Sequence, residues 1–194
     1  MNLATKLLFA TLLLSLTACV QKQNFKNVDI TKNSSYGKDF KLQDPDGTVR
    51  TLADFRGKVV VMFFGYTGCP DFCPTTLTEI HRAVNLLGPK ADKVQVLFVT
   101  VDPARDTASI LKQYAPTFDP RFLGLRPKDD PDLAKLAKDF KIYYKKVPGT
   151  TPGSYTMDHT AGSYAFDPEG HLRLYINHAN GSDALAHDLN ALLN

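Results

Sequence analysis

Along the chain, apolar and polar positions fall into short blocks that predict strands and helices in alternation. Val59 to Gly65 is an unbroken apolar run, Val-Val-Val-Met-Phe-Phe-Gly, which predicts a central strand covered on both faces. Val94 to Val101 has the same character and predicts a second buried strand. Between them Pro74 opens a stretch with Leu77, Ile80, His81, Val84 and Leu87 at helical spacing, closed by Gly88 and Pro89. Thr107 to Tyr114 and Asp130 to Phe140 are further helices; the second has Leu133, Leu136, Ala137 and Phe140 on one face and Pro131 in its first turn. Ile142 to Tyr144 is a weak strand, and Ser182 to Leu193 a closing helix.

Two hairpins complete the pattern. Phe40 to Gln43 and Thr48 to Leu52 flank the turn residues Asp44, Pro45, Asp46 and Gly47. Ser163 to Phe166 and Leu172 to Ile176 are joined by Asp167, Pro168, Glu169 and Gly170. A βαβ crossover followed by helices, a hairpin and a last helix is the order of an α/β thioredoxin-like sandwich, here with an added N-terminal β-hairpin. There is no internal repeat and no sign of a second domain.

The first residues break this pattern. Met1 to Ala18 carries one cation, Lys6, and then an apolar stretch from Leu7 to Leu16, too short for the roughly 20 residues of a spanning helix. It reads as an export signal, and Leu16-Thr17-Ala18-Cys19 resembles a bacterial lipobox, which makes 1–18 a lipoprotein signal peptide and Cys19 the acylated first residue of the mature chain. Residues 19–38 are polar and form a tether, leaving 39–194 as the folded domain. These features place the protein on a membrane through lipid, facing the periplasm or the cell exterior, in an oxidising compartment.

Composition adds exclusions. With 43% apolar residues and a net charge of +3 from 23 basic and 20 acidic side chains, the 194-residue chain is neither disordered nor a multi-span membrane protein. The basic residues are scattered, with Lys145-Lys146 among the densest runs, so no surface for tracking nucleic acid is expected.

With Cys19 assigned to lipid, the chemistry falls to Cys69 and Cys73 in Gly68-Cys69-Pro70-Asp71-Phe72-Cys73-Pro74. The prolines make this a tight loop, with Cys73 at the cap of the helix beginning at Pro74, where the helix dipole favours a thiolate and a lowered thiol pKa. Spacing alone leaves a structural disulfide, a redox dithiol and a metal site open. Bonded sulfurs at about 2.05 Å and sulfurs sharing a metal at about 3.8 Å exclude one another, so the pair is a natural redox gate. His159, in a loop just before a strand, is the third donor that such a fold would bring across from the cysteine loop. Two thiolates and an imidazole suit Cu(I), with zinc as competitor. Asp158 is placed to orient the His159 ring, and Met157 reads as core rather than as a soft ligand. His81 reads as helix surface or packing, and His171, His178 and His187 as solvated or capping residues. Asp102 ends a strand, Asp106 is placed to cap the helix beginning near Thr107, and Arg105 to pair with a carboxylate.

Three blocks, Gly65 to Thr75, Val101 to Thr107 (with Asp102, Pro103, Arg105 and Asp106), and Tyr155 to Thr160 (with Met157, Asp158 and His159), together resemble the Sco/SenC copper chaperones, from about Tyr36 to the last helix. The resemblance implies a membrane-anchored thioredoxin-like fold that binds a copper ion, Cu(I) and Cu(II), through Cys69, Cys73 and His159. It further implies assembly of the dinuclear copper site of cytochrome c oxidase subunit II, either by delivering metal or by reducing the target's cysteines, with a thiol reductant as a further partner. Many members have His before the first Cys, where this chain has Gly68. Beside metal delivery stand two other classes: a thiol-disulfide oxidoreductase using Cys69 and Cys73 as its catalytic dithiol, and a redox or copper sensor.

Overall fold

A computed structural model of the chain describes residues 24–194; the export signal and Cys19 lie outside the described residues. The apolar run forms β4 (Val59–Gly65), buried along its whole length, with the order of the preceding strands being β1 (Val28–Asp29), β2 (Leu42–Gln43) and β3 (Val49–Arg50). After it come α1 (Phe72–Asn85), β5 (Val94–Thr100), α2 (Ala108–Phe118), β6 (Leu123–Leu125), α3 (Asp130–Phe140), β7 (Tyr144–Pro148), β8 (Tyr155–His159), β9 (Ser163–Phe166), β10 (Leu172–Ile176) and α4 (Gly181–Leu192). Six strands make one sheet in the order β1-β10-β9-β4-β5-β6.

In that sheet β4 pairs in parallel with β5, Val59 opposite Val94 through Gly65 opposite Thr100, and antiparallel with β9. Successive β4 side chains point to opposite faces. Phe63 packs on Phe98 and on Phe72 at the start of α1, whereas Phe64 packs on Phe140 of α3 and on Tyr164. Both faces are therefore covered by helices, which is why β4 tolerates no polar residue.

The β2–β3 hairpin forms as expected, though only two residues of each side pair. Its turn is held by the Asp44 carboxylate, which accepts from the amides of Asp46 and Thr48 and from Arg50 Nε at 2.8 to 3.0 Å, with Gly47 at a φ of 83° that other residues resist.

Three local expectations change. Residues 24–38 are not a free tether: β1 pairs with β10, and the amides of Lys26 and Asn27 donate to the buried Asp188 carboxylate of α4, each at 2.8 Å. The polar look of this stretch hides an edge strand and a buried hydrogen-bonded anchor. The helix ending at Tyr114 runs on to Phe118 through Pro116, whose ring sits in the last turn. Its N-terminal cap is Thr107, whose hydroxyl accepts from the Ile110 amide at 3.3 Å; Asp106 is engaged elsewhere.

Candidate metal centre

The site lies where β4, β5 and β8 end. α1 starts at Phe72, two residues earlier than the proline signal indicates, so Cys73 is inside the first turn and Pro74 follows it. A proline there forfeits nothing, because first-turn amides have no partner within the helix. The Cys73 amide, one such orphan, points at the Cys69 sulfur at 3.3 Å. Both cysteines are free thiols; Cys69 is partly exposed and Cys73 fully buried.

That burial overturns the expected low thiol pKa of Cys73. Desolvation pushes it far above the ordinary value, and the neighbouring Cys69 and Asp106 push the same way. The first-turn amide of Cys73 faces the sulfur of Cys69. Room for Cys73 comes from Gly65, where a Cβ would stand 2.9 Å from Cys73 Sγ and 2.9 Å from the Phe98 ring.

His159 is the last residue of β8, a strand where a loop was expected. Its Nδ1 lies 3.0 Å from the Thr160 carbonyl, an acceptor only, so Nδ1 carries the proton and Nε2 presents its lone pair. Nε2 is 3.6 Å from Cys73 Sγ. Sulfur and nitrogen donors sharing a metal with zinc-like bond lengths stand roughly 3.6 to 3.8 Å apart in tetrahedral or trigonal geometry, so this pair already has ligand spacing. The donors Cys69, Cys73 and His159 are not all within 4.8 Å of one another, a spacing reached among the described residues by Asp167, Glu169 and His171. With Cys73 and His159 already 3.6 Å apart, the donor that stands off is the partly exposed Cys69.

The ring of His159 is walled by Tyr66, Phe63 and Phe72, at centroid distances of 5.9, 6.5 and 6.3 Å. Burial lowers its pKa below the ordinary histidine value, partly opposed by the Thr160 carbonyl and Asp158, and so favours the neutral, ligating ring. The orienting bond expected from Asp158 comes from Thr160; Asp158 is exposed on β8 and acts only through its charge. Backbone carbonyls leave no trace in a sequence pattern.

A turn between β5 and α2 holds both halves of the site. Arg105 pairs with the buried Asp102, donates from Nη1 to the Tyr155 carbonyl at 2.8 Å, and lies 3.6 Å over the Tyr155 ring; the Tyr155 hydroxyl donates to Asp102 at 3.0 Å. Those contacts seat β8. Asp106 accepts from the Thr67 amide at 3.0 Å, and from the hydroxyls of Thr67 and Thr100, which seats the cysteine loop.

The other histidines lie apart from the three donors. His81 faces Asp119 at 3.0 Å, and His187 faces Asp188 at 2.9 Å. His178 is not a solvated residue: it packs edge-on against Phe63, faces Ser163 Oγ at 2.8 Å, and burial lowers its pKa to about 4. Met157 is buried core, as expected.

Fold and site together define a thioredoxin-like protein whose dithiol loop faces an imidazole across the end of the sheet. Residues 28–194 match the SCO1/SenC family model, and the chain belongs to that family. It is 37% identical over 149 residues to the mitochondrial SCO2 homolog of Bos taurus, covering 76% of this chain and 56% of that protein. The chain thus spans a little over half the length of that curated relative. Among solved structures it is similar to Bradyrhizobium japonicum ScoI with copper bound, at 41% identity and a TM-score of 0.73, covering 81% of this chain and 99% of that one. Apo Sco1 of Thermus thermophilus gives 39% identity and a TM-score of 0.76 over 89% of this chain and 99% of that one.

Proposed function

We propose that the protein carries a copper ion as cargo on Cys69, Cys73 and His159 and passes it by ligand exchange to the dinuclear copper site of cytochrome c oxidase subunit II. The observation that supports this most is the 3.6 Å approach of His159 Nε2 to Cys73 Sγ, with Nδ1 committed to Thr160 and burial favouring the neutral ring. Two soft sulfurs and one imidazole in an aromatic, water-poor pocket match the donor preference of Cu(I). Both thiols must give up a proton on binding, so retention strengthens as pH rises and acid releases the metal. A thiol reductant keeps the pair loadable, because oxidation to a disulfide removes two donors and two electrons at once. Acylation of Cys19 would hold the domain on the outer or periplasmic face of a membrane; among the described residues no helix is long and apolar enough to cross one.

A second reading has its own support. The Cys69 sulfur is partly exposed and receives a helix-terminal amide, as an attacking thiol requires, while buried Cys73 is placed to resolve a mixed disulfide with a partner. His159 separates the two. In reduced protein, His159→Ala is expected to lose copper to a competing chelator while thiol exchange stays within about threefold of native. Cells carrying His159→Ala that assemble oxidase normally at limiting copper, while Cys73→Ser cells do not, would overturn delivery in favour of reduction.

A further inference from the structure

We propose that Asp106 is a positioning residue of the metal centre, holding the loop that carries Cys69 in the geometry that three-donor binding needs. This rests on the copper-binding reading above. Asp106 is 1% exposed, and its two carboxylate oxygens accept three hydrogen bonds: from the Thr67 amide at 3.0 Å, from the Thr67 hydroxyl, and from the hydroxyl of Thr100 at the end of β5. Thr67 stands two residues before Cys69, and the Cys69 amide in turn donates to the Tyr66 carbonyl at 3.3 Å. The loop is thereby tied at both its backbone and its side chain to the strand next to β4. A buried carboxylate with three donors is an expensive device unless all three are satisfied, and here they are.

Thr107 caps α2 without help from Asp106, and no cation pairs with Asp106 among the bonded contacts, whereas its neighbour Asp102 has Arg105. What the carboxylate adds is a fixed path from Gly65 to Cys69. Without it Thr67 would be free to move, and the sulfur of Cys69, the donor that must turn inward, would have no fixed base to turn from. A loosened loop also lets the two sulfurs approach bonding distance more easily.

Asp106→Asn and Asp106→Ala separate position from charge. An asparagine can accept from the Thr67 amide and Thr100 hydroxyl with its oxygen, and donate to the Thr67 hydroxyl with its nitrogen, so it keeps the tie without the charge. Two readouts are taken on reduced, full-length protein. The first is Cu(I) retention against a chelator, beside the thiolate-to-copper absorption of the Cu(II) form. The second is the dithiol to disulfide ratio in a glutathione buffer, where the pair yields two electrons and two protons to oxidised glutathione, which leaves as two thiols. Asp106→Ala is expected to retain Cu(I) about tenfold more weakly, the factor that one lost hydrogen bond carries, to shift the absorption band, and to lie further toward disulfide. Asp106→Asn is expected to stay within about threefold of native in both. Thr67→Val, which removes one hydroxyl at constant volume, is expected to move both readouts in the direction of Asp106→Ala and serves if the alanine variant does not fold. A folded Asp106→Ala or Thr67→Val protein with native retention, native spectrum and native redox ratio overturns the proposal, even if its melting temperature falls. If native protein and His159→Ala retain copper equally, the three-donor reading fails instead, and the redox ratio still decides the role of Asp106.

Discussion

Single atoms set the chemistry of this site. The proton on Nδ1 of His159 is fixed by one carbonyl oxygen, and that leaves Nε2 facing the buried sulfur of Cys73. Gly65 matters for what it lacks. Gly65→Ala puts a methyl 2.9 Å from both Cys73 Sγ and Phe98, neither of which is a loose chain end. The expected cost is about 1 to 3 kcal/mol of stability in denaturant unfolding, together with weaker copper retention because the thiol must move. Native stability and native retention in that variant would show that the pocket has slack. The cysteines and His159 were legible as chemistry-bearing residues because they are rare types in unusual spacing. Their supports were not: a backbone carbonyl from Thr160 and a buried amide of Cys73 belong to no side-chain pattern. The thiol pKa of Cys73 was misjudged because the helix terminus was legible and the depth of burial was not.

Among the elements, β8 is the one whose placement decides the site. Its sequence Tyr-Thr-Met-Asp-His alternates inward and outward, a period-two signal obscured by the turn residues that precede it. The strand lies outside the main sheet, paired with β7 alone, and is seated on the core by Arg105 and Asp102. Arg105→Met keeps the length of the side chain but removes the donor to the Tyr155 carbonyl and the charge over its ring. Faster amide exchange confined to β7 and β8 is expected, with weaker copper retention and little change in β4 or β5. Exchange that is unchanged in β8 would mean that pairing with β7 suffices to hold it. The long apolar strands and the amphipathic helices were readable because burial on one or two faces imposes a period on the residues. Short edge strands such as β1 and β6, with two and three residues, impose almost none.

For the whole molecule, half-buried His178 and buried Asp119 both make stability depend on pH. His178 has its folded pKa lowered to about 4 from an ordinary 6.5, so the unfolded chain binds a proton that the folded one refuses. Stability from this residue is fully present above pH 6.5 and is lost as pH falls toward 4, by on the order of 3 kcal/mol. Asp119, paired with Arg121 and lowered to about 2 from 3.8, contributes above the unfolded value and is lost only below it. Apo protein should therefore lose stability in two steps, and His178→Gln should shrink the upper step, to which His159 also contributes, while leaving the lower one in place. A single step near pH 4 in the native protein, or an upper step of undiminished size in the variant, would contradict a neutral imidazole at His178. Residues 26–27 tie the N-terminal end of the described chain to α4 through Asp188.

X-ray absorption at the copper edge tests the central claim most directly, on reduced full-length protein loaded with one equivalent of Cu(I). Two sulfur neighbours and one imidazole nitrogen are expected, with the nitrogen shell lost in His159→Ala and one sulfur lost in Cys69→Ser. A shell of sulfur alone in the native protein, or an imidazole signal that survives in His159→Ala, would contradict the account.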